Sequence, residues 1–423
     1  MTADRNKTGG GVTASTATGG YAVLRSPGGT SRGRPLSALL SVKPALAIFL
    51  LLAGCGAARP APPRTVLLEE TRIVAHQQGD EVTVDSYDAS QLFARAYELS
   101  QAGRCDEAVE LYDRLVAEFP GSHRVSPALY NAALCLARAH ELALAADHYA
   151  TLLERAPHGP DAKHAGLQMT EVLVELERWP EALDAAETLL DREDLRSDER
   201  LEAMARRAQA LLGAERLDEA QRAARDALTY YRTRRADEVI ADEYFAAAAN
   251  FVLAETVRLR SEAVALPDAD VARQHEALDR RARLLLDAQA AYFDTIRLTD
   301  ARWAAAAGYR IGAMYEGFYR AITTAPVPPP PRPLAPAAVQ IYERSYREQL
   351  AERVRPLVRH AIRYWELTLL MVERTGVEPV ERGWVDQTRA DLSRARRVLL
   401  GAQVASSPGR ALGSPAGQDS IVQ

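Results

Sequence analysis

Apolar residues recur three and four positions apart from Ala89 to about residue 403, which is the spacing of one face of an α-helix. In the first part of this stretch the pattern returns every 37 or 38 residues. The first copy places Leu92, Ala96 and Leu99 on one helix, Gly103 in a turn, and Ala108, Tyr112 and Leu115 on a second helix. A repeat of this length predicts an all-α body of paired helices, in which each pair buries its apolar face against its neighbours.

Three further copies carry small and large apolar residues at matching offsets. They contain Leu129, Ala133, Leu136, Ala145, Tyr149 and Leu152, then Thr170, Leu173, Trp179, Ala182, Ala186 and Leu189, then Ala208, Leu211, Ala220, Ala224 and Ala227. The pattern resembles the tetratricopeptide repeat over residues 89–229. The resemblance implies an α-solenoid of helical hairpins whose concave face, formed by the first helix of each unit, binds other proteins or peptides.

By that resemblance, the candidate residues of a partner-binding groove lie on the first helix of each of the first three units. They are Phe93, Tyr97, Tyr130, Arg138, His164, Glu171 and Glu175. Packing between helices is the alternative role for the aromatic residues in this set.

Longer helices are predicted after Tyr230, over residues 242–263, 271–298, 302–323, 339–374 and 384–403. Ile311, Gly312 and Tyr315 again resemble the first helix of a tetratricopeptide unit. The segment 326–336 is proline-rich and predicts an exposed polyproline-II loop, which serves either as a stiff connection or as a docking site. Residues 404–423 are rich in Ser, Gly, Pro and Ala and predict a disordered tail.

The start of the chain has the features of an export signal. Basic residues, among them Arg34 and Lys43, precede an apolar run over 45–53 that is too short to span a bilayer as a helix. The run ends in Leu52, Ala53, Gly54 and Cys55, which resembles the lipobox of bacterial lipoproteins. The resemblance implies cleavage before Cys55 and acylation of that residue, so that the body is held at a membrane surface.

Several details of this segment leave alternatives open. Gly56 follows the cysteine, and in the lipoprotein family an aspartate at that position signals retention at the inner membrane. We therefore expect the outer membrane and its periplasmic face, with the inner membrane as the alternative. The leader before the apolar run is long, and translation starting downstream, near Val23, is an alternative to Met1.

These features divide the chain into five parts. Residues 1–54 are a signal segment, and 55–88 hold the lipid anchor, a proline-rich spacer and a short extended lead-in around Arg72–Ala75 and Glu81–Val84. About four repeats occupy 89–235, longer hairpins occupy 236–403, and 404–423 form the tail.

The charge balance argues against nucleic acid as a partner. The whole chain has a net charge of −5, and removing residues 1–54, with six basic groups and one acid, leaves 46 basic and 56 acidic groups, or −10. A body with that balance, and with both signs interleaved, lacks the basic stripe that phosphate contacts require.

Motifs for catalysis or metal binding are incomplete in this sequence. Gly29 to Gly33 match a G-x-S-x-G pattern but lie in the leader, without a strand and a helix around them. His140-Glu141 and His275-Glu276 begin like a zinc-binding H-E-x-x-H motif, but Leu144 and Asp279 stand where the second histidine belongs. We therefore expect a protein without enzymatic activity, cofactor, metal or small-molecule substrate.

Cys105 and Cys135 lie on neighbouring helices of the first two copies. Two buried free thiols are the expected state, and a disulfide formed in an oxidising compartment is the alternative.

Together the anchor and the repeats predict a lipid-anchored scaffold that faces the periplasm. Its partners would be proteins or peptides of an envelope complex, such as outer-membrane assembly or a trans-envelope machine. The alternative is an enzyme-activating or cell-wall-acting subunit with an unrecognised site in 242–403.

Overall fold

The computed structural model describes residues 70–78, 81–237, 240, 243–266, 270–376 and 382–406. All of them belong to one compact unit, Leu67–Gln423. The predicted signal segment, Cys55, the spacer over 57–64 and the tail beyond residue 406 lie outside the described residues.

Helices make up nearly all of the described chain, after a short β-hairpin. Strand β1 (Thr71–Gln78) pairs antiparallel with β2 (Glu81–Asp88), so that Ile73 lies opposite Ser86. Thirteen helices follow in the described residues: α1 (Ala89–Gln101), α2 (Cys105–Glu118), α3 (Val125–Arg138), α4 (Leu142–Arg155), α5 (Ala162–Glu175), α6 (Trp179–Leu190), α7 (Ser197–Gly213), α8 (Leu217–Asp237), α9 (Tyr244–Glu262), α10 (Val271–Arg297), α11 (Ala301–Thr324), α12 (Pro336–Thr375) and α13 (Arg382–Ser406). The prediction of an all-α solenoid of tetratricopeptide-like hairpins is confirmed.

The repeated apolar positions form the core of each hairpin. Ala96 on α1 and Ala108 on α2 have no exposed surface, and Tyr112 and Leu115 are equally buried. Because alanine has a short side chain, two helices that meet at alanines approach closely and let the larger residues on either side interlock. The corresponding alanines of the later copies are equally buried, namely Ala133, Ala145, Ala182, Ala208 and Ala220.

Each helix packs mainly against the helices before and after it in the chain. Most neighbouring odd-numbered helices also contact one another: α1 touches α3, α5 touches α7, α7 touches α9, and α11 touches both α9 and α13. Among the described helices, no pair of even-numbered helices reaches the same extent of contact. The odd-numbered helices, which are the first helices of the hairpins, therefore line the inner side of the array.

The turn inside each of the first four hairpins has the same backbone geometry. Gly103, His140, Glu177 and Glu215 have positive φ values of 76°, 61°, 56° and 59°. In the first turn the Gly103 amide donates to the Ser100 carbonyl and the next amide donates to Leu99, which is the Schellman arrangement, and the other three turns repeat it. Only the first of these four turns has glycine at the positive-φ position, and glycine is the residue that adopts this conformation without a steric cost.

Two large clusters of buried apolar residues fill the array, one extending from α1 to α9 and one from α9 to α13. In the second cluster the Trp365 indole is fully buried on α12 and donates a hydrogen bond of 3.1 Å to the Tyr309 carbonyl. A side chain at Gly312 on α11 would overlap this ring. Gly312 is therefore needed for close packing of α11 on α12.

Helix α12 is much longer than the helix it packs against. With 40 residues against 24, it is about 60 Å long where α11 is about 36 Å. Trp365 lies beside Tyr309 in an antiparallel pair, so the first four turns of α12 extend past the end of α11. Val358 is the first buried residue of α12.

The proline-rich segment runs back along this extension rather than standing free. The Tyr342 hydroxyl of α12 donates to the Pro328 carbonyl at 3.2 Å, and the Gln274 amide of α10 donates to the Pro326 carbonyl at 2.9 Å. Residues 325–328 are half-buried. The expectation of a fully exposed loop is therefore wrong for the first half of the segment, because polar side chains of α10 and α12 bind its carbonyl groups.

None of the helices in the described residues combines the length and the apolar composition that crossing a bilayer demands.

Candidate functional site

The seven predicted groove residues lie on the first helices α1, α3 and α5, on side chains that range from half-buried to exposed. We call these residues, together with Glu202 and Arg206 of α7, the first-helix face. Its two ends differ in chemistry, because the part on α1 is aromatic and the part on α5 and α7 is charged. Whether its members contact a partner stays a prediction.

The α1 end of the first-helix face is a stack of aromatic rings. Phe93 and Tyr97 are nearly parallel, with ring centres 6.3 Å apart, and Phe93 also packs at 5.7 Å against the buried Tyr112 of α2. The Arg124 guanidinium lies 5.2 Å from the Phe93 ring. Phe93 thus has a packing role inside the hairpin, whereas Tyr97 is 46% exposed and free to contact another molecule.

Tyr130 on α3 takes an intermediate position. It is half-buried, its ring centre lies 6.0 Å from that of the buried Tyr149, and burial raises the pKa of its hydroxyl. Arg138, at the end of α3, and His164, at the start of α5, are exposed on either side. Tyr130 is therefore partly a core residue and partly a surface residue. This position is compatible both with packing between helices and with contact to a partner.

The charged end is organised around an arginine that the sequence pattern did not single out. Arg206 of α7 is 95% buried, and its guanidinium donates to the Glu171 carboxylate of α5 at 2.9 Å. The same guanidinium lies 5.5 Å from the ring of Phe245 on α9. Glu171 is consequently tied to the next repeat, and Glu175, one turn further along α5, is the exposed carboxylate of this region.

Glu202 lies one helical turn before Arg206 on α7. Burial, reinforced by the negative charge of Glu171, raises the pKa of the Glu202 carboxyl to about 7, against the opposing effect of Arg206. Glu202 and Gln209 stand 38 residues after His164 and Glu171, at the same offset that separates the repeats. Applying the same offset to the predicted groove residues would have placed candidates on α7.

Buried charges in the second half of the chain form closed networks. Glu255 of α9 is 4% exposed and binds Arg258 at 2.6 Å, accepts a hydrogen bond from the Tyr292 hydroxyl, and lies 3.1 Å from Arg310. Burial next to Glu255 raises the pKa of Tyr292 well above its usual value. These contacts join α9, α10 and α11, and they give the network a structural role.

A cleft of about 780 Å³ opens between the end of α9 and the first half of α10. Its walls carry Arg260, Arg273, Arg280, Arg283, Glu276 and Asp287 along with small apolar residues. Arg260 is already bound to Asp218 of α8 at 2.5 Å. Most of the lining side chains are exposed, so the cleft is a wide surface furrow and not an enclosed reaction site.

The two partial zinc motifs are separated from any further ligand in the described part of the chain. His140 lies in the left-handed turn between α3 and α4, and His275 lies on the exposed side of α10. No group of three His, Cys, Asp or Glu side chains with the spacing of a metal site occurs among the residues that the structure describes.

Comparisons with known proteins return solved repeat proteins at low sequence identity and low structural similarity. No protein-family model matches the chain, and no curated protein is similar to it. A tetratricopeptide repeat protein from Parabacteroides merdae shares 14% identity, covers 71% of this chain and 98% of its own, and has a TM-score of 0.35. YrrB, described as a TPR protein with an unusual peptide-binding site, shares 20% identity over 48% of this chain and 90% of its own, with a TM-score of 0.32. A putative kinesin light chain with TPR-like repeats from Podosopora anserina shares 15% identity over 47% of this chain and 96% of its own, with a TM-score of 0.32.

Proposed function

We propose that this chain is a lipid-anchored scaffold that faces the periplasm and binds protein partners of an envelope complex through its first-helix face. The observation that carries the proposal is the first-helix face itself, a row of aromatic and charged side chains on the first helices of consecutive hairpins, at the inner side of the array. Scaffolding without catalysis is part of the proposal.

The geometry of the face suits an extended segment of another protein. Consecutive first helices present their side chains side by side, so a bound chain meets Tyr97, then Tyr130, then the charged residues of α5 and Glu202 of α7. Aromatic side chains such as Tyr97 bury a large area with little loss of side-chain freedom and commonly carry much of the affinity of an interface. Charged groups at the other end, such as Glu175, then fix the register and the direction of the bound chain.

The anchor half of the proposal rests on the sequence around Cys55. An acylated cysteine followed by a proline-rich spacer would hold the repeats close to a membrane while leaving the first-helix face open to the periplasm. The outer membrane is the proposed location because Gly56, and not aspartate, follows the cysteine.

Site-specific photocrosslinking tests the binding face. A photoreactive residue would replace Tyr97 or Glu175 in the full chain in intact cells, and a third variant would carry it at Leu144 on α4. Leu144 is a matched control because it is 49% exposed, against 46% for Tyr97, yet lies on a second helix. We expect one and the same partner to be captured from Tyr97 and Glu175 and not from Leu144. Equal capture from all three positions, or capture from Leu144 alone, would contradict the proposal.

Palmitate labelling tests the anchor separately. We expect the unsubstituted chain to incorporate the label and to sediment with the outer membrane, and Cys55→Ser to lose both properties. Equal labelling of the two proteins would rule out lipidation at Cys55. Labelled protein in the inner membrane would mean that the scaffold is anchored in that membrane, and it would leave the proposed binding face unaffected.

A further inference from the structure

Two cysteines from different hairpins meet at the junction of the first two repeats. Cys105 is the first residue of α2, and Cys135 lies in the last turn of α3. Their Sγ atoms are 2.6 Å apart, which is well inside the separation that two unbonded sulfur atoms keep. The fold therefore brings the two sulfur atoms within reach of each other.

The surroundings of the pair isolate it from other thiols. Cys135 is buried and Cys105 is half-buried, and the sequence contains only one further cysteine, Cys55. If Cys55 carries the proposed lipid, its sulfur is blocked. Each of the two thiols then has the other as its intramolecular partner.

We propose that Cys105 and Cys135 form a disulfide bond that ties the first hairpin to the second, and that this bond is the state of the protein in an oxidising compartment. The structure holds both cysteines as free thiols, which is the state expected from the sequence, and the bond forms when they are oxidised. It requires an oxidant of the disulfide class, either a thiol-disulfide oxidoreductase or a small-molecule disulfide.

The reaction is a double thiol–disulfide exchange in which the oxidant is reduced. The Cys105 sulfur is the more accessible, so it loses its proton to solvent and attacks the oxidant's disulfide, which releases one thiolate. Cys135 then loses its proton and attacks the Cys105 sulfur of the mixed disulfide, which releases the second thiolate. Each released thiolate takes up one proton, so the protein loses two hydrogen atoms and the oxidant gains them. Burial raises the pKa of the Cys135 thiol to about 12, in keeping with its role as the second sulfur to react.

The position of the bond links it to the first-helix face, and this step rests on the proposed function. Arg138 lies one turn after Cys135 on α3. The buried Tyr112 hydroxyl, whose pKa burial raises to about 12, lies near both cysteines and near Tyr97. A bond between α2 and α3 at this point fixes the spacing between the α1 and α3 parts of the face.

The test uses the full chain carrying Cys55→Ser, which leaves two cysteines and needs neither a membrane nor a partner. The protein is incubated with glutathione disulfide or with dithiothreitol, and its intact mass, peptide map and melting temperature are measured. We expect the oxidised protein to be lighter by two hydrogen atoms and to yield one peptide pair joined through Cys105 and Cys135. Reduction is expected to lower the melting temperature by roughly 5–10 °C.

Two further variants serve as controls, Cys105→Ser and Cys135→Ala. Both are expected to have a melting temperature that does not respond to dithiothreitol, and circular dichroism reports whether each is folded. An unchanged mass with two thiols that still react with iodoacetamide, or glutathione attached to either cysteine without a link, would overturn the bond. A linked protein that melts at the same temperature as the reduced one would overturn its role in joining the hairpins. None of these results depends on lipidation or on a partner, so they are separate from the tests of the proposed function.

Discussion

Replacing His140, Glu177 and Glu215 by glycine should stabilise the repeats, because these three residues hold a left-handed backbone conformation. Their φ values lie between 56° and 61°, in turns that match the one formed by Gly103. All three side chains are exposed, and none takes part in a hydrogen bond or ion pair described for the turn. The substitution therefore removes a steric cost without removing a contact.

The expected gain is the difference between two effects. The left-handed conformation destabilises a residue with a Cβ by roughly 1–2 kcal/mol. The greater freedom of glycine in the unfolded chain offsets about 0.4–1 kcal/mol of the stability gained by removing that cost. The net gain is about 0.5–1 kcal/mol for each site, and since the three turns lie in separate hairpins the triple variant should gain about 1.5–3 kcal/mol.

Urea unfolding followed by far-ultraviolet circular dichroism measures the total effect. A repeat array can open in parts, so hydrogen exchange of the backbone amides should accompany it. His140→Gly is expected to slow exchange in α3 and α4 and to leave α11 and α12 unchanged, because each hairpin contacts mainly its neighbours.

Gly103→Ala is the matched control. A Cβ at this position meets no atom within 4 Å, so the only penalty is the φ of 76°. We expect a loss of about 0.5–1 kcal/mol, concentrated in α1 and α2. If this variant were neutral, or if His140→Gly lowered stability, the backbone conformation of the turns would not be the controlling factor and the reasoning would be refuted.

Three further predictions address the packing and the charges. Gly312→Ala should lose about 1–3 kcal/mol because the new methyl group overlaps a buried indole, whereas Gly317→Ala in the same helix, with no atom near the added group, should gain about 0.5–1 kcal/mol in the same urea titration. The raised pKa of Glu202, about 7, means that its neutral form is favoured in the folded state, so its ionisation costs stability as pH rises through the interval from 4.5 to 7. Glu202→Gln should therefore stabilise the protein by about 1–3 kcal/mol near ~pH 8 and by little near ~pH 4, and an equal effect at both pH values would contradict it. The hydrogen bond to Asp113 raises the pKa of His148, so the pair contributes below the ordinary histidine pKa and its contribution is lost as pH rises through the raised value. Asp113→Asn should then cost under about 1 kcal/mol near ~pH 5 and less near ~pH 8, and a larger loss at the higher pH would contradict this assignment.

The sequence predicted the helices well because their periodicity is strong. The predicted helix over 271–298 is observed as Val271–Arg297, and the helix over 302–323 as Ala301–Thr324. Long amphipathic segments with alanines at fixed offsets leave few ways to bury their apolar face, so local pattern and tertiary packing agree. Even the short hairpin before α1 followed from alternating β-branched residues.

The turns and the charged end of the first-helix face were harder to foresee. Glycine marks only the first of four equivalent left-handed turns, and histidine or glutamate in the others carries no local turn signal. An arginine on a helix usually lies in solvent. The burial of Arg206 depends on Glu171 and Phe245, which belong to other hairpins. Such contacts between repeats require the three-dimensional arrangement, although the 38-residue offset points to the right helix.

The contact between the two cysteines also could not be foreseen without the three-dimensional arrangement. Their separation of 30 positions says only that they lie on neighbouring helices, while the distance between the sulfur atoms depends on how α2 and α3 cross. Residues of the candidate face on α1, α3 and α5 were within reach of sequence reasoning because a repeat copies each position onto the next unit.

The extension of α12 and the proline-rich segment beside it bear on how this protein can change over evolutionary time. The apolar core of α12 begins at Val358, so the four turns before about residue 352 and the segment from Pro328 support each other more than they support the stack. Insertions and deletions are tolerated best where the affected backbone carries little of the core. This extension can therefore lengthen or shorten while the register of the hairpins on either side is preserved, which leaves the first-helix face unchanged.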